Sequence, residues 1–191
     1  MYCYISESGG KREMKKSLKV TSLVLAILLV ASALVGCANF EKKKAFMDYQ
    51  ASLGTDSAMM NSMSEDMDKV QSAINKNDLT TTKAILQSKI NPTLKQLSQN
   101  ATNRHSTITD VELANVDTHY VNYCSHMSDA FTMMLDAINT EDQAKLNKAM
   151  SELNVAMTEI SSYADGLQKY MDTYGIKDDG SIAAFKSMMG N

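Results

Sequence analysis

Residues 143–174, QAKLNKAMSELNVAMTEISSYADGLQKYMDTY, decide the fold. Apolar side chains recur at Leu146, Met150, Leu153, Met157, Ile160, Ala164, Leu167, Met171 and Tyr174, in steps that alternate between four and three. A helix collects such residues on one face. A strand, whose side chains alternate at every second residue, scatters them. Gly175 follows where a left-handed residue closes a helix, with Ile176 placed to pack back on Met171.

The same pattern extends towards the N-terminus. Residues 113–137 carry Leu113, Val116, Tyr120, Tyr123, Met127, Ala130, Met134 and Ala137, and Cys124, Phe131 and Ile138 widen the stripe to the breadth that a bundle helix needs. Residues 46–74 carry Phe46, Tyr49, Leu53, Met60, Met63, Met67, Val70 and Ile74; polar Asp56 interrupts this stripe beside Gly54, which predicts a kink or break. Residues 78–101 are less regular, with Leu79, Leu86, Ile90, Leu94, Leu97 and Ala101. Pro92, the one proline of the chain, should bend or interrupt this helix because it has no N–H to donate.

The helix ends carry recognisable signals. Thr109 with Glu112 reads as a capping box stapled by Ile108 and Leu113, and Thr140 with Gln143 reads as a second one. Asp78 is placed to cap the helix that follows it. The connections near 75–78 and 138–141 are short, so the helices they join should run antiparallel. A longer link near 102–108 holds Asn103, Arg104 and His105. These features predict an all-α antiparallel four-helix bundle over residues 46–175. A short C-terminal amphipathic helix in the 176–191 tail would cover one end through Ile182, Phe185 and Met189.

A repeat runs through the pattern. Met63-Ser64-Glu65, Ala73-Ile74-Asn75 and Asp78 recur as Met127-Ser128-Asp129, Ala137-Ile138-Asn139 and Asp142, with Met67 matching Phe131 and Val70 matching Met134 in the same register. Two related helical hairpins would produce this arrangement. Two unrelated hairpins that share heptad and capping requirements would produce it too.

Ahead of the helices lies a segment of a different kind. Lys15, Lys16 and Lys19 precede an uncharged apolar run from Val20 to Val35, which ends in Leu34-Val35-Gly36-Cys37. This stretch resembles the signal peptides of the bacterial lipoprotein family. The resemblance implies a signal over residues 14–36, cleavage between Gly36 and Cys37, and acylation of the Cys37 thiol with diacylglycerol, with palmitate among the acyl groups. Residues 37–45 would then form the lipidated N-terminus and tether. An uncleaved transmembrane anchor is the competing reading, since residues 20–38 could just span a bilayer. Both readings put the remainder outside the cytoplasm. The resemblance further implies the outer membrane of a two-membrane cell, because Ala38 and not Asp follows the cysteine, or the outer face of the cytoplasmic membrane in a one-membrane cell. Residues 1–13 do not suit a secretory signal, and Met14 is the expected start of translation. Lys44-Ala45-Phe46-Met47-Asp48-Tyr49 also resembles the opening of a small enterobacterial lipoprotein family of uncharacterised role.

Composition narrows the functions. The chain has 19 Lys plus Arg against 22 Asp plus Glu, and cleavage before Cys37 would make the mature chain more acidic still. No basic patch is present, which argues against nucleic acid as a partner. Lys42, Lys43 and Lys44 could sit against lipid phosphates or simply form a solvated first helical turn. With Cys37 acylated and Cys3 ahead of the start, Cys124 has no partner for an intramolecular disulfide and reads as a small buried hydrophobe.

Chemical motifs are sparse. His119 and His126 stand seven residues apart on one helix face with Tyr123 between them, a poor chelate without a second helix. No H-E-x-x-H, Gly-rich phosphate loop or G-x-S-x-G sequence occurs. Met60, Met63, Met67, Cys124, His126 and Met127 could meet in the middle of the bundle as soft ligands for Cu(I). These positions also lie on the apolar stripe, where Met fills irregular space well. The expectation is a non-enzymatic envelope lipoprotein, without a cofactor, that binds another envelope protein or a wall component. The alternative is an extracytoplasmic domain that binds a small ligand or Cu(I).

Overall fold

The structure, a computed structural model, describes residues 40–177. The signal segment with Gly36 and Cys37, and the tail with Ile182, Phe185 and Met189, lie outside the described residues. Among the described residues the chain is all-α, as the periodicity predicts, with no strand. Its elements are α1 (Phe40–Ser52), α2 (Gly54–Asn75), α3 (Leu79–Ile85), a π-helical turn (Leu86–Ile90), α4 (Asn91–His105), α5 (Val111–Thr140) and α6 (Gln143–Tyr174). Residues 40–45, within the segment expected as lipidated N-terminus and tether, are helical, and Lys43 is buried.

The break at Gly54 is local. Leu53 alone separates α1 from α2, and the Leu53 N–H reaches Gln50 O while Ser57 N–H reaches Leu53 O, so hydrogen bonding carries across it. Pro92 has a different effect from a simple kink. It lies in the first turn of α4, directly after the π turn, where the Asn91 N–H bonds to Leu86 O, five residues back. The extra residue in that turn accommodates a ring that would otherwise collide with the preceding turn.

Two expected caps move. Asp110, not Thr109, caps α5: its backbone is extended and its carboxylate accepts from the Leu113 N–H at 3.0 Å. Asp142, not Thr140, caps α6, accepting from the Ala144 and Lys145 N–H groups at 2.8 and 3.1 Å. Thr140 stays inside α5 because the chain reverses one residue later, at Glu141, with φ 53°. Asp78 caps α3 as expected through the Thr81 N–H, and Gly175 closes α6 with φ 60° while the Ile176 N–H reaches Met171 O at 2.8 Å.

The two tight turns are the same structure. Asn77 and Glu141 are the only non-glycine residues with positive φ among the described residues. Each is followed by a capping Asp whose N–H returns to an alanine carbonyl: Asp78 to Ala73 at 2.9 Å and Asp142 to Ala137 at 3.0 Å. Burial repeats in the same register, as Met60 with Cys124, Met63 with Met127, Met67 with Phe131 and Val70 with Met134. From the start of the π turn onward the register shifts by one residue, so that Leu86, Ile90, Leu97 and Ala101 match Ala149, Leu153, Ile160 and Ala164.

Contacts give the helix directions. His119 pairs with Glu159 and His126 with Glu152, so partner numbers fall along α6 as they rise along α5, and the two helices run antiparallel. They form the most extensive helix–helix contact among the described residues. The stripe of α6 is centred one residue away from the expected one: Ala149, Ala156, Tyr163 and Tyr170 are buried together with Leu153, Ile160 and Leu167, while Leu146, Met150 and Met157 lie at its edge. The seam between α6 and α5 is tight at Gly166, where a Cβ would stand 2.9 Å from Val116 Cγ2. Leu79, expected in the core, is 53% exposed, and Thr82 is buried in its place.

Candidate functional site

The most concentrated chemistry is a polar cluster buried among the helices. The interruption at Asp56 proves to be part of it. Asp56 is buried, and the Arg104 guanidinium donates to its Oδ2 from one nitrogen and to Asp117 Oδ1, at 3.0 Å, from another. The Tyr49 hydroxyl donates to Asp117 Oδ1 at 2.8 Å. Its single proton is thereby committed, so the Tyr163 hydroxyl, 2.8 Å away, is the donor in their mutual contact. His105 Nδ1 lies 3.0 Å from Asp117 Oδ2, and Tyr120 donates to Asp56 Oδ2 at 3.3 Å.

Local sequence puts each group there. Tyr49 and Asp56 follow the stripe across the Leu53 break. Arg104 occupies the last turn of α4, where a cation also complements the helix C-terminus. Asp117 takes a core position on α5, and Tyr163 lies on the alanine line of α6. The cluster therefore ties α1, α2, α4, α5 and α6 at one level. Rings close over the guanidinium as well, with Tyr120 4.8 Å and Tyr49 5.7 Å from its central carbon.

Its electrostatics follow from one cation shared by two carboxylates. Burial raises the Asp56 carboxyl above the ordinary value; Arg104 and Tyr120 only partly offset it. Burial also works against the guanidinium charge, but the surrounding Tyr49, Asp117, Tyr120 and Asp56 hold Arg104 above its ordinary value. Tyr49, Tyr120 and Tyr163 are all pushed up by burial and stay neutral. Arg104 Nε has no hydrogen-bond partner. A cavity of about 180 Å³ is lined by Arg104 and Tyr49 together with Ala45, Asp48, Thr107 and Leu113.

The histidines have separate duties. His119 Nδ1 is 2.7 Å from Glu159 Oε2 and His126 Nδ1 is 2.7 Å from Glu152 Oε2, two half-buried pairs one heptad apart on the α5–α6 seam. Beside the first pair runs a groove of about 490 Å³, bounded by Glu112, Val116, Gly166 and Lys169.

The proposed soft ligands divide into two sets. Met60, Met63, Met67, Cys124 and Met127 all belong to the sealed apolar core. His126 faces Glu152 across the seam. Burial pushes the Cys124 thiol well up, which disfavours the thiolate that a metal would require. No group of three or more His, Cys, Asp or Glu is placed to hold a metal ion among the described residues.

The polar cluster is not apparent from the sequence, in which Arg104 and His105 lie in a link between helical stripes and Asp56 interrupts one of them. The available signal was the position of Asp56 and Asp117 on the apolar stripes, where a charge requires a partner. The three lysines near the start also find partners within the fold: Lys42 reaches Asp110 at 2.8 Å and stands over the Tyr174 ring, Lys43 is buried, and Lys44 pairs with Asp48. Compared with known proteins, the chain matches no family model, no curated protein and no solved structure.

Proposed function

We propose that this protein is an extracytoplasmic lipoprotein. Acylated Cys37 anchors it after cleavage at Gly36–Cys37, and its helical domain binds another envelope protein or a wall component without catalysis. The observation that carries the reading is the Lys15-to-Cys37 signal, followed after two residues by the first described helix. It would lie in the outer membrane of a two-membrane cell, because Ala38 follows the cysteine, or on the outer face of the membrane of a one-membrane cell.

The domain itself is read as an antiparallel four-helix bundle: α1 with α2, α3 with α4, then α5 and α6. Supporting contacts are Asp56–Arg104 and Met59–Asn100 between the first pair of rods, Phe46–Tyr170 and Tyr49–Tyr163 between the first and last, and Asp56–Tyr120 across the parallel pair. It is further read as a duplicated hairpin. The matching turns at Asn77 and Glu141 favour this, and the register slip at the π turn is what a one-residue insertion into one copy would leave. A structural role for the ionisable groups fits the same picture, since each of the three histidines is paired with a carboxylate and the buried charges join helices.

Metabolic labelling with a fatty acid tests the anchor. Label should enter the parent chain and be absent from Cys37→Ser, which should also accumulate as unprocessed precursor. Label retained in Cys37→Ser would refute the anchor. Crosslinking in intact envelopes, followed by capture of the lipidated protein, tests the partner; elemental analysis and native mass spectrometry of the captured protein read out a bound metal or small ligand instead.

A further inference from the structure

The described chain starts at Phe40, and three residues can extend at most about 11 Å, so the start of α1 is held close to Cys37. The same end of the molecule carries the start of α5 and the close of α6: Lys42 Nζ stands 2.8 Å from Asp110 and 5.0 Å from the Tyr174 ring. Phe40 (68% exposed) and Val111 (72%) are the two most exposed large apolar side chains among the described residues, and both lie at this end. Leu79, also exposed, lies at the opposite end, beside the turn that joins α2 to α3.

The charges of this end do not favour an anionic surface. Lys42 and Lys44 are engaged by Asp110 and Asp48, Lys43 is buried, and Glu41 and Glu112 stand nearby. Lys177 is exposed just past the close of α6, against Glu41, Glu112 and Asp172, so the two exposed apolar side chains, not a cationic patch, distinguish this end.

We propose that this end of the domain rests on the bilayer that holds the anchor, with Phe40 and Val111 inserted at the boundary between headgroups and acyl chains of electrically neutral lipid. The apolar faces of interfacial helices are buried about 5–10 Å into that boundary. The contact fixes the long axis of the domain away from the membrane and turns the Asn77 and Glu141 turns outward. It rests on the anchor reading, although an uncleaved span ending near Ala38 would hold the same end against the same surface.

The chain contains no Trp, so single-Trp variants give an unambiguous signal. Phe40→Trp, Val111→Trp and Leu79→Trp would be made in the full chain, recovered from membranes and reconstituted in phosphatidylcholine vesicles, with or without bromine on the acyl chains near the headgroup. The mass of the N-terminal peptide reports the anchor separately. The expected result is blue-shifted emission and loss of fluorescence to brominated lipid for Phe40→Trp and Val111→Trp, with Leu79→Trp unchanged. Unquenched emission at both former positions in a membrane-bound protein overturns the docking, whatever the anchor. Equal quenching at all three positions overturns the orientation. A blue shift without quenching that appears only at high protein density assigns the surface to a second copy of the chain instead. Loss of acylation together with the expected quenching pattern refutes the lipid anchor and leaves the docking standing.

Discussion

Arg104 and Asp117 lie on either side of the loop that joins α4 to α5, and their side chains meet at 3.0 Å with almost no exposure to water. The same guanidinium also serves Asp56 from the first turn of α2. A buried ion pair is weak evidence of net stability, because desolvation of the charges offsets most of their attraction. Its effect on uniqueness is firmer. Any sliding of one helix past another at this level would strand a charge in the core.

Arg104→Met should therefore be strongly destabilising, by about 3–5 kcal/mol, since it leaves two buried carboxylates without their cation. Arg104→Lys should recover only part of the loss, because one ammonium cannot present two separated donors in the same fork. Urea denaturation followed by circular dichroism gives both values. A loss below about 1 kcal/mol for Arg104→Met would show that the cluster is not closed as described.

The raised carboxyl of Asp56 gives a signed pH effect. The folded protein holds this proton more tightly than the unfolded chain, whose value is near 3.8. Its contribution is therefore fully present below that value and is lost as pH rises through the folded one. Asp110 runs the other way: burial opposes its ionisation, but Lys42 and the Leu113 N–H outweigh it and lower the carboxyl. Comparing the parent with Asp56→Asn isolates the first group. The melting temperature of the parent relative to the variant should fall as pH rises from about 4 towards neutrality. A constant difference would mean that Asp56 titrates alike in the folded and unfolded chains.

Gly166→Ala should destabilise the protein, although in an exposed helix the same change is ordinarily favourable by about 0.5–1 kcal/mol. The new Cβ would meet Val116 Cγ2 at 2.9 Å, forcing α5 and α6 apart. The expected cost is about 1–3 kcal/mol. Adding Val116→Ala should relieve much of it, so a double-mutant cycle should show clear coupling. Additive effects would place the two residues out of contact.

Replacing Met60, Met63, Met67 and Met127 together by Leu should preserve the helical fold at a cost of up to about 1.5 kcal/mol per site, since the volumes are similar and all four positions lie in the core. Thermal melts measure the cost. A Cu(I) competition titration on the parent should show no stoichiometric binding. Tight binding that disappears in the quadruple variant would make the metal-binding reading the leading one, with Cys124 and His126 the next positions to change.

The sequence by itself determined the class of the fold and most of its core. Unbroken three–four spacing has no solution other than a helix buried along one face, and so spacing alone puts Tyr120, Tyr123, Met127, Phe131, Ile160 and Leu167 in the core. Single-residue chemistry likewise marked the turn at Asp78, the closure at Gly175 and a disturbance at Pro92. Only the tertiary structure decided which residue of a neighbouring pair performs a task. Whether Thr109 or Asp110 caps α5 depends on where the incoming loop becomes extended. Whether Met157 or Ala156 faces inward depends on how closely α5 approaches, which Gly166 and Val116 set together. The polar cluster was the least legible feature. Asp56, Arg104 and Asp117 belong to three separate helices, and a charge on an apolar stripe shows that a partner is required without showing which one. That choice is made when the helices pack, because only one register brings both carboxylates to the same guanidinium out of reach of water.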